Sequence, residues 1–399
     1  MKTKQTDIAS APAAIVNAKL ILENGILWDG ALTFRGGVIA QVGRREEVSL
    51  DDCGEIIDAR GRYLAPGLVD IHCHGAGLWA FHEDPVACSE HFLRHGETTV
   101  LPTFYHNLSL EDMLTGGEKI RQASRQGAGR IMDGLYMEGP YMDGGGSFLS
   151  SIKWHGGIRA EEYTPLVDGL RDLVRVWAID PEREGIEPFM AYCKQVNPGV
   201  RFAIGHSRAP YETCERVAKY GLHVRTHMGD GGTAIGRVAG LPSAGPDEYT
   251  MNHPDMYAEL ICDQEAIHVA PGLMRLYVRA KGIDKMILIS DSMNDKSEGR
   301  FKNDPKRVPF GPDLNYDDTG WLAGSHLTLD HAVHNMMTHT GYGLCHAIRM
   351  ASLNPARFLG IDDRVGSLVP GKTANLLIID DMANVEAVFL QGDLMVDNR

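Results

Sequence analysis

The chain of 399 residues has no apolar run approaching the roughly 20 residues that span a bilayer, so no membrane partner is expected. Its start, Met1-Lys2-Thr3-Lys4-Gln5-Thr6-Asp7, is basic but lacks the apolar stretch of a signal peptide. Cysteine is sparse: Cys53, Cys73, Cys88, Cys193, Cys214, Cys262 and Cys345 are scattered, odd in number, and form no Cys-x-x-Cys pair. That argues against a disulfide framework and for a reducing, cytoplasmic setting. Basic residues are too few for a nucleic-acid binder, with 39 Lys and Arg against 53 Asp and Glu and a net charge of −14. Phosphate neutralisation needs clustered Lys and Arg. No Gly-x-Gly-x-x-Gly follows the first apolar strand, which weighs against a dinucleotide-binding fold. With 43% hydrophobic and 23% charged residues, the composition is that of an ordinary globular enzyme. Its length suits one large domain and a smaller one.

Residues 14–65 read as short β segments separated by the turn signals Glu23-Asn24-Gly25 and Arg35-Gly36-Gly37. The C-terminus repeats this texture through 375–379, 385–390 and a last strand. Two β-rich ends around a different middle imply one small β-sandwich domain assembled from 1–65 and 359–399. The middle, 66–358, alternates short apolar strands with helical stretches. Eight strand candidates, at 68–73, 98–104, 131–137, 174–179, 201–205, 223–226, 258–262 and 286–290, fit an α/β fold of the (β/α)8 TIM-barrel type. Residues 294–318, polar and rich in Pro, Gly and Asp, read as a long loop or hairpin beside the site.

The chemistry sits where these strands end. The first closes on Asp70-Ile71-His72-Cys73-His74-Gly75. Side chains two apart on a strand point the same way, so His72 and His74 converge and Cys73 points oppositely. The third strand ends at Glu138, the fifth at His206, the sixth at His227 and the eighth at Asp291. All lie at C-terminal strand ends, the face where barrel enzymes keep their chemistry. Four His, one Glu and one Asp form a donor set suited to Zn²⁺ or Fe²⁺. His331 and His334, three apart after a helix start, read as a helix face, and His82, His91 and His95 as ordinary helix or loop residues.

These residues resemble the amidohydrolase superfamily, and within it the N-acetylglucosamine-6-phosphate deacetylases. The resemblance is carried by Pro66-Gly67-Leu68-Val69-Asp70-Ile71-His72-Cys73-His74-Gly75, Met137-Glu138-Gly139-Pro140, Gly205-His206-Ser207, Thr226-His227, Ile267-His268-Val269, Ser290-Asp291 and Leu322-Ala323-Gly324-Ser325. Relatives that use a modified Lys on the fourth strand differ, since 174–180 contains no Lys. The resemblance implies that Glu138, His206 and His227 hold a principal divalent ion. It implies that His72 and His74, with Glu138 bridging and Asp291 nearby, can hold a second. Zn²⁺ is the leading ion, with Fe²⁺, Mn²⁺ or Co²⁺ as alternatives. By the same resemblance Asp291 is the general base, and His268 contacts substrate and helps polarise the acetyl carbonyl. The resemblance further implies that Arg237 binds the phosphate, across the interface of a homodimer, and that Leu322, Ala323 and Gly324 contact the acetylated sugar. The implied activity is deacetylation of an N-acetylated amino sugar, N-acetylglucosamine 6-phosphate first.

Three departures from the family pattern fall on the substrate side. Where an Asn-Ala pair is expected after the sixth-strand His, the chain reads Met228-Gly229-Asp230-Gly231-Gly232, placing Asp230 and Gly231 at the substrate. An Asp repels a phosphate dianion unless a cation screens it. Cys262-Asp263-Gln264-Glu265-Ala266-Ile267-His268 is longer and more acidic than the pattern, and the loop after Glu138 is longer too, so His155 pairs with the family's loop His only by position. Two alternatives stay open: an amidohydrolase of another, unphosphorylated amide, and a catalytically silent barrel scaffold.

Overall fold

A computed structural model describes residues 11–142, 154, 157–230, 236–238, 241–295, 311–316 and 322–399, with the backbone alone for 236–238 and 241–243. Eight parallel strands form one sheet: β1 (Leu68–Cys73), β2 (Glu97–Tyr105), β3 (Leu135–Glu138), β4 (Val174–Ile179), β5 (Arg201–Ile204), β6 (Leu222–Arg225), β7 (Tyr257–Ile261) and β8 (Met286–Ile289). Each neighbouring pair runs parallel, in chain order. The barrel closes at its C-terminal end, where Asp291 N–H donates to His72 O at 2.9 Å and the N–H groups of His74 and Gly75 donate to Ser292 O at 2.8 and 3.0 Å. β2, β3 and β8 are buried almost end to end, as expected of strands covered on both faces.

Helices cover the outer face: α1 (Pro85–Arg94), α2 (Leu110–Ala123), α3 (Ala160–Leu170), α4 (Ile186–Val196), α5 (Tyr211–Val217), α6 (Pro246–Asn252), α7 (Pro271–Lys281) and α8 (Leu329–Thr340). Local chemistry sets their starts. Asp84 caps α1 by accepting from Ala87 N–H ahead of Pro85, and Ser109 with Asp112 forms a capping box on α2. The barrel core continues into the layer between sheet and helices, where Trp177 meets the Phe189 ring edge-on at 5.0 Å.

One strand begins later than the sequence suggests. Gly127–Ile131 forms a tight 3₁₀ turn, and Gly134 then takes φ +132 with Leu173 O 2.6 Å from where a Cβ would sit. The chain extends only from Leu135.

Strands from both chain ends pair in a second sheet of eight. Along it lie Asp393–Asp397, Val385–Leu390, Leu376–Ile379, Tyr63–Pro66, Ala13–Leu22, Gly25–Arg35 and Val38–Arg44, with Glu55–Asp58 also paired to Ala13–Leu22. The two faces of the expected sandwich are one sheet curled over a shared core. Phe34 packs edge-on against Phe389 at 6.0 Å, and Ile39 N–H donates to Lys372 O and Ala374 N–H to Gly37 O, both at 2.8 Å. Tyr63–Pro66 leads through Gly67 straight into β1, so this sheet anchors the strand that carries His72.

Candidate metal centre

Five barrel strands deliver six side chains to one point. Glu138, the last residue of β3, lies at its middle. Its Oε1 is 3.1 Å from His206 Nε2 and 3.1 Å from His227 Nε2, and its Oε2 is 3.2 Å from His74 Nε2. Asp291 Oδ1 lies 3.2 Å from His74 Nε2 and 3.5 Å from His72 Nε2. Two overlapping groups result, His72–His74–Glu138 and Glu138–His206–His227, and within each group the ligand atoms lie within 4.8 Å of one another. Glu138 belongs to both.

The backbone is strained where the strands hand over these groups. His206, His227 and Asp291 take φ of 38°, 28° and 49°, the left-handed region that costs a non-glycine residue about 1–3 kcal/mol and clusters at functional sites. Hydrogen bonds hold Asp291 and His227: Asp291 N–H donates to His72 O at 2.9 Å, and His227 N–H donates to a Glu259 carboxylate oxygen at 3.2 Å.

The donor set fits a divalent cation. His227 Nδ1 faces the carbonyl of Asp230 at 3.0 Å. That contact needs a proton on Nδ1, which leaves the Nε2 lone pair directed at the cluster. His72 is oriented alike, Nδ1 facing Glu259 Oε2 at 3.2 Å. Such backing partners are what metal-ligating histidines use to fix ring and tautomer. His72 Nε2 is itself buried without a hydrogen-bond partner, an orphan that a cation would satisfy. Burial alone would raise the Glu138 carboxyl, but the four surrounding imidazoles outweigh it and hold it well below the usual carboxylate range. Burial likewise opposes ionisation of Asp291, and His72 and His74 reverse that effect. Both carboxylates are therefore charged at neutral pH, as ligands must be.

The amidohydrolase family model matches residues 274–395. The N-acetylgalactosamine-6-phosphate deacetylase of Escherichia coli O157:H7 is 30% identical over 384 residues, covering 94% of this chain and 97% of that protein. This chain belongs to the amidohydrolase family. It is a hydrolase of amide bonds, and its relatives are sugar-phosphate deacetylases. The N-acetylglucosamine-6-phosphate deacetylase of Haemophilus influenzae is 27% identical over 398 residues, covering 95% of this chain and 98% of that one. The crystal structure of N-acetylglucosamine-6-phosphate deacetylase from Pasteurella multocida superimposes with a TM-score of 0.82 at 25% identity, over 96% of this chain and 99% of that chain.

In this amidohydrolase the other residues singled out by sequence fall into two sets. Gly324 packs against Asp291 and His268 against Gly324, Leu322 and Ala323 precede Gly324 on the same short strand, and Asp230 is near enough to act on His227 and His268. His268 Nδ1 lies 3.0 Å from Asp263 Oδ2 and its Nε2 lies 3.2 Å from Gly324 O. Ser325 N–H donates to Asp291 O at 2.8 Å, which ties the strand Leu322–Ser325 to Asp291. Asp230 is half-buried and its negative charge raises the proton affinity of His227 and His268. His155 and Gly231 lie outside the described residues. Arg237 has its backbone in a short hairpin, Gly236–Val238 against Leu241–Ser243, and its side chain lies outside them. So does most of 294–318, of which Leu314–Tyr316 pairs with Leu322–Ser325.

Three residues have roles at the site that sequence reasoning did not assign. Glu259 lies under His72 and His227, Asp263 orients His268, and Tyr136 stacks on the His72 ring at 4.5 Å. The sequence signals were a Glu inside the apolar run Ala258-Glu259-Leu260-Ile261 and the added acidity of the segment holding Asp263.

Proposed function

We propose that this amidohydrolase removes the acetyl group from an N-acetylated amino sugar 6-phosphate, releasing acetate and the free amine. N-acetylglucosamine 6-phosphate is the leading substrate. Its C4 epimer, the galactosamine form, stands beside it because the 30%-identical relative carries that name. The observation that carries the reading is Glu138 shared by two histidine pairs, with Asp291 3.2 Å from His74.

Glu138, His206 and His227 would hold one divalent ion, and His72 and His74 with Glu138 a second. Zn²⁺ is the leading ion, with Fe²⁺, Mn²⁺ and Co²⁺ as alternatives. When bound, such an ion polarises the amide carbonyl and lowers the pKa of water toward neutrality. Asp291 enters as the carboxylate, since its imidazole neighbours keep it ionised. It accepts the proton of the attacking water on an oxygen and returns it to the departing amine nitrogen. His268 has an acceptor at each ring nitrogen, the Asp263 carboxylate at Nδ1 and the Gly324 carbonyl at Nε2. Burial disfavours its charge, but Asp263 and Asp230 outweigh that and raise its pKa. With Asp263 accepting at Nδ1, it is placed to donate through Nε2, when protonated, to a developing oxyanion or to the sugar. Arg237 would meet the phosphate, reaching it across a homodimer interface, with His155 and Gly231 beside it. Seven free cysteines fit a cytoplasmic enzyme.

A neutral amide substrate is the second reading, favoured by the Asp230 charge near His206, His227 and His268. The test is amine release by Zn²⁺-loaded enzyme from N-acetylglucosamine 6-phosphate, N-acetylgalactosamine 6-phosphate and unphosphorylated N-acetylglucosamine. We expect the phosphate esters to lead in kcat/KM by about 100-fold or more, the scale of a charged contact worth 2–3 kcal/mol. Equal rates with and without phosphate would favour the second reading, and no release from any of the three would sink the deacetylase reading.

A further inference from the structure

Glu259 stands inside β7 between Ala258 and Leu260, and none of its side chain reaches solvent. Its contacts include an imidazole nitrogen and a backbone N–H, with Oε2 3.2 Å from His72 Nδ1 and 3.2 Å from His227 N, and the Tyr136 hydroxyl is near enough to feel its charge. Its other oxygen, Oε1, is buried without a hydrogen-bond partner. Burying a carboxylate costs several kcal/mol unless a charge compensates it. A role in packing alone would be met better by the apolar residues on either side. What distinguishes the position is that one oxygen reaches a member of each ligand group, His72 of the first and His227 of the second, from below. Glu138 joins the same two groups at the barrel mouth.

We infer that Glu259 is a positioning residue that couples the two cation sites and sets the affinity of the His72–His74 site. The inference rests on the reading that each group takes an ion. By accepting the Nδ1–H of His72, Glu259 leaves the Nε2 lone pair facing Glu138 and Asp291. A carboxylate behind a ligating imidazole also makes it a stronger donor. His74 has no such support, its Nδ1 being buried without a hydrogen-bond partner. His72 is therefore the anchored half of the pair, and Glu259 is its anchor. The second contact holds His227 at its left-handed φ of 28°, so a change at Glu259 reaches the other site through the backbone rather than through charge.

The two contacts separate by substitution. Glu259→Gln keeps the shape and an oxygen to accept from His227 N–H but removes the charge. Glu259→Met keeps the volume and removes both contacts. Metal-free enzyme is titrated with Zn²⁺ against a chromogenic chelator, and separately with Co²⁺ followed by visible absorption, with the melting temperature of each metal-free protein recorded. Wild type is expected to take two equivalents. In Glu259→Gln one equivalent weakens about 10-fold while the other stays within about threefold, in the range seen when backing partners are removed. In Glu259→Met the first weakens about 100-fold and the second also declines. Unchanged affinities in Glu259→Gln would overturn the inference. Equal weakening of both sites in both variants, with a lowered metal-free melting temperature, would overturn it too and assign Glu259 to packing. Uptake of a single equivalent by wild type would overturn the two-ion reading beneath it, and is seen before any variant is made.

Discussion

Asp291 touches His72 and His74 as a ligand would, yet it also has the position of a base, and substitution separates the two roles. Asn keeps the shape and one acceptor oxygen but cannot carry the proton. Asp291→Asn is expected to lower kcat by about 10²–10⁴-fold, the usual share of general acid–base catalysis, with metal content unchanged by atomic absorption. If metal content and activity fall together, Asp291 acts as a ligand and the base lies elsewhere. A second residue-scale prediction concerns His91 on α1, far from catalysis. Burial, with His95 5.0 Å away, pushes His91 down to about 4. A group with a depressed pKa gives stability that is complete above its unfolded value, about 6.5, and is lost as pH falls through the folded value. His91→Gln should therefore flatten the decline of melting temperature between pH 6.5 and 4, an effect on the order of 1–3 kcal/mol. A decline identical to wild type would show that other groups govern acid stability.

At the scale of elements, the strand ends were legible and the strand interiors were not. His72 and His74, Glu138, His206, His227 and Asp291 each stand where an apolar run stops, so their convergence followed from the barrel alone. Glu259 stands within a run, and a strand buried on both faces has no polar–apolar alternation to say which way a residue points. Asp263 was noted only as added acidity, because its role depends on a turn that brings its carboxylate back to His268 Nδ1. Turn geometry also governs Glu138. Gly139 follows it at φ +99, and a Cβ there would sit 2.8 Å from His106 Cβ. Gly139→Ala should lower the melting temperature by an amount corresponding to about 1–3 kcal/mol. Because Glu138 is common to both groups, it should weaken both metal equivalents together. Gly272→Ala on α7, where nothing lies within 4 Å of the added methyl, is the control and should be neutral or slightly stabilising. Retention of full metal content by Gly139→Ala would mean that the turn does not aim Glu138.

For the whole molecule, the sequence texture placed strands at both chain ends but could not distinguish two facing sheets from one curled sheet. That depends on pairings such as Leu376–Ile379 with Tyr63–Pro66, more than 300 residues apart in the chain. The consequence is mechanical: the curled sheet holds the start of β1, and the ligand cluster holds its end against β3, β5, β6 and β8. Among the described residues no helix is long and apolar enough to cross a membrane. Without an ion, Glu138 and Asp291 bring two negative charges into one buried space and rely on imidazoles for compensation. An ion in each group would cross-link four strands, β1, β3, β5 and β6, at one point, and ligand binding to the native state alone adds stability as RT ln(1 + [L]/Kd). At free metal about 100 times Kd that is about 2.7 kcal/mol per site. Removing metal with a chelator should therefore lower the melting temperature by several degrees in a single cooperative step, and Zn²⁺ in slight excess should restore it. The shift should scale with equivalents restored, the first and second each adding a part. An unchanged melting temperature after complete removal would mean that the barrel mouth is held by its protein contacts alone. The strained φ values of His206, His227 and Asp291 would then owe nothing to a bound ion.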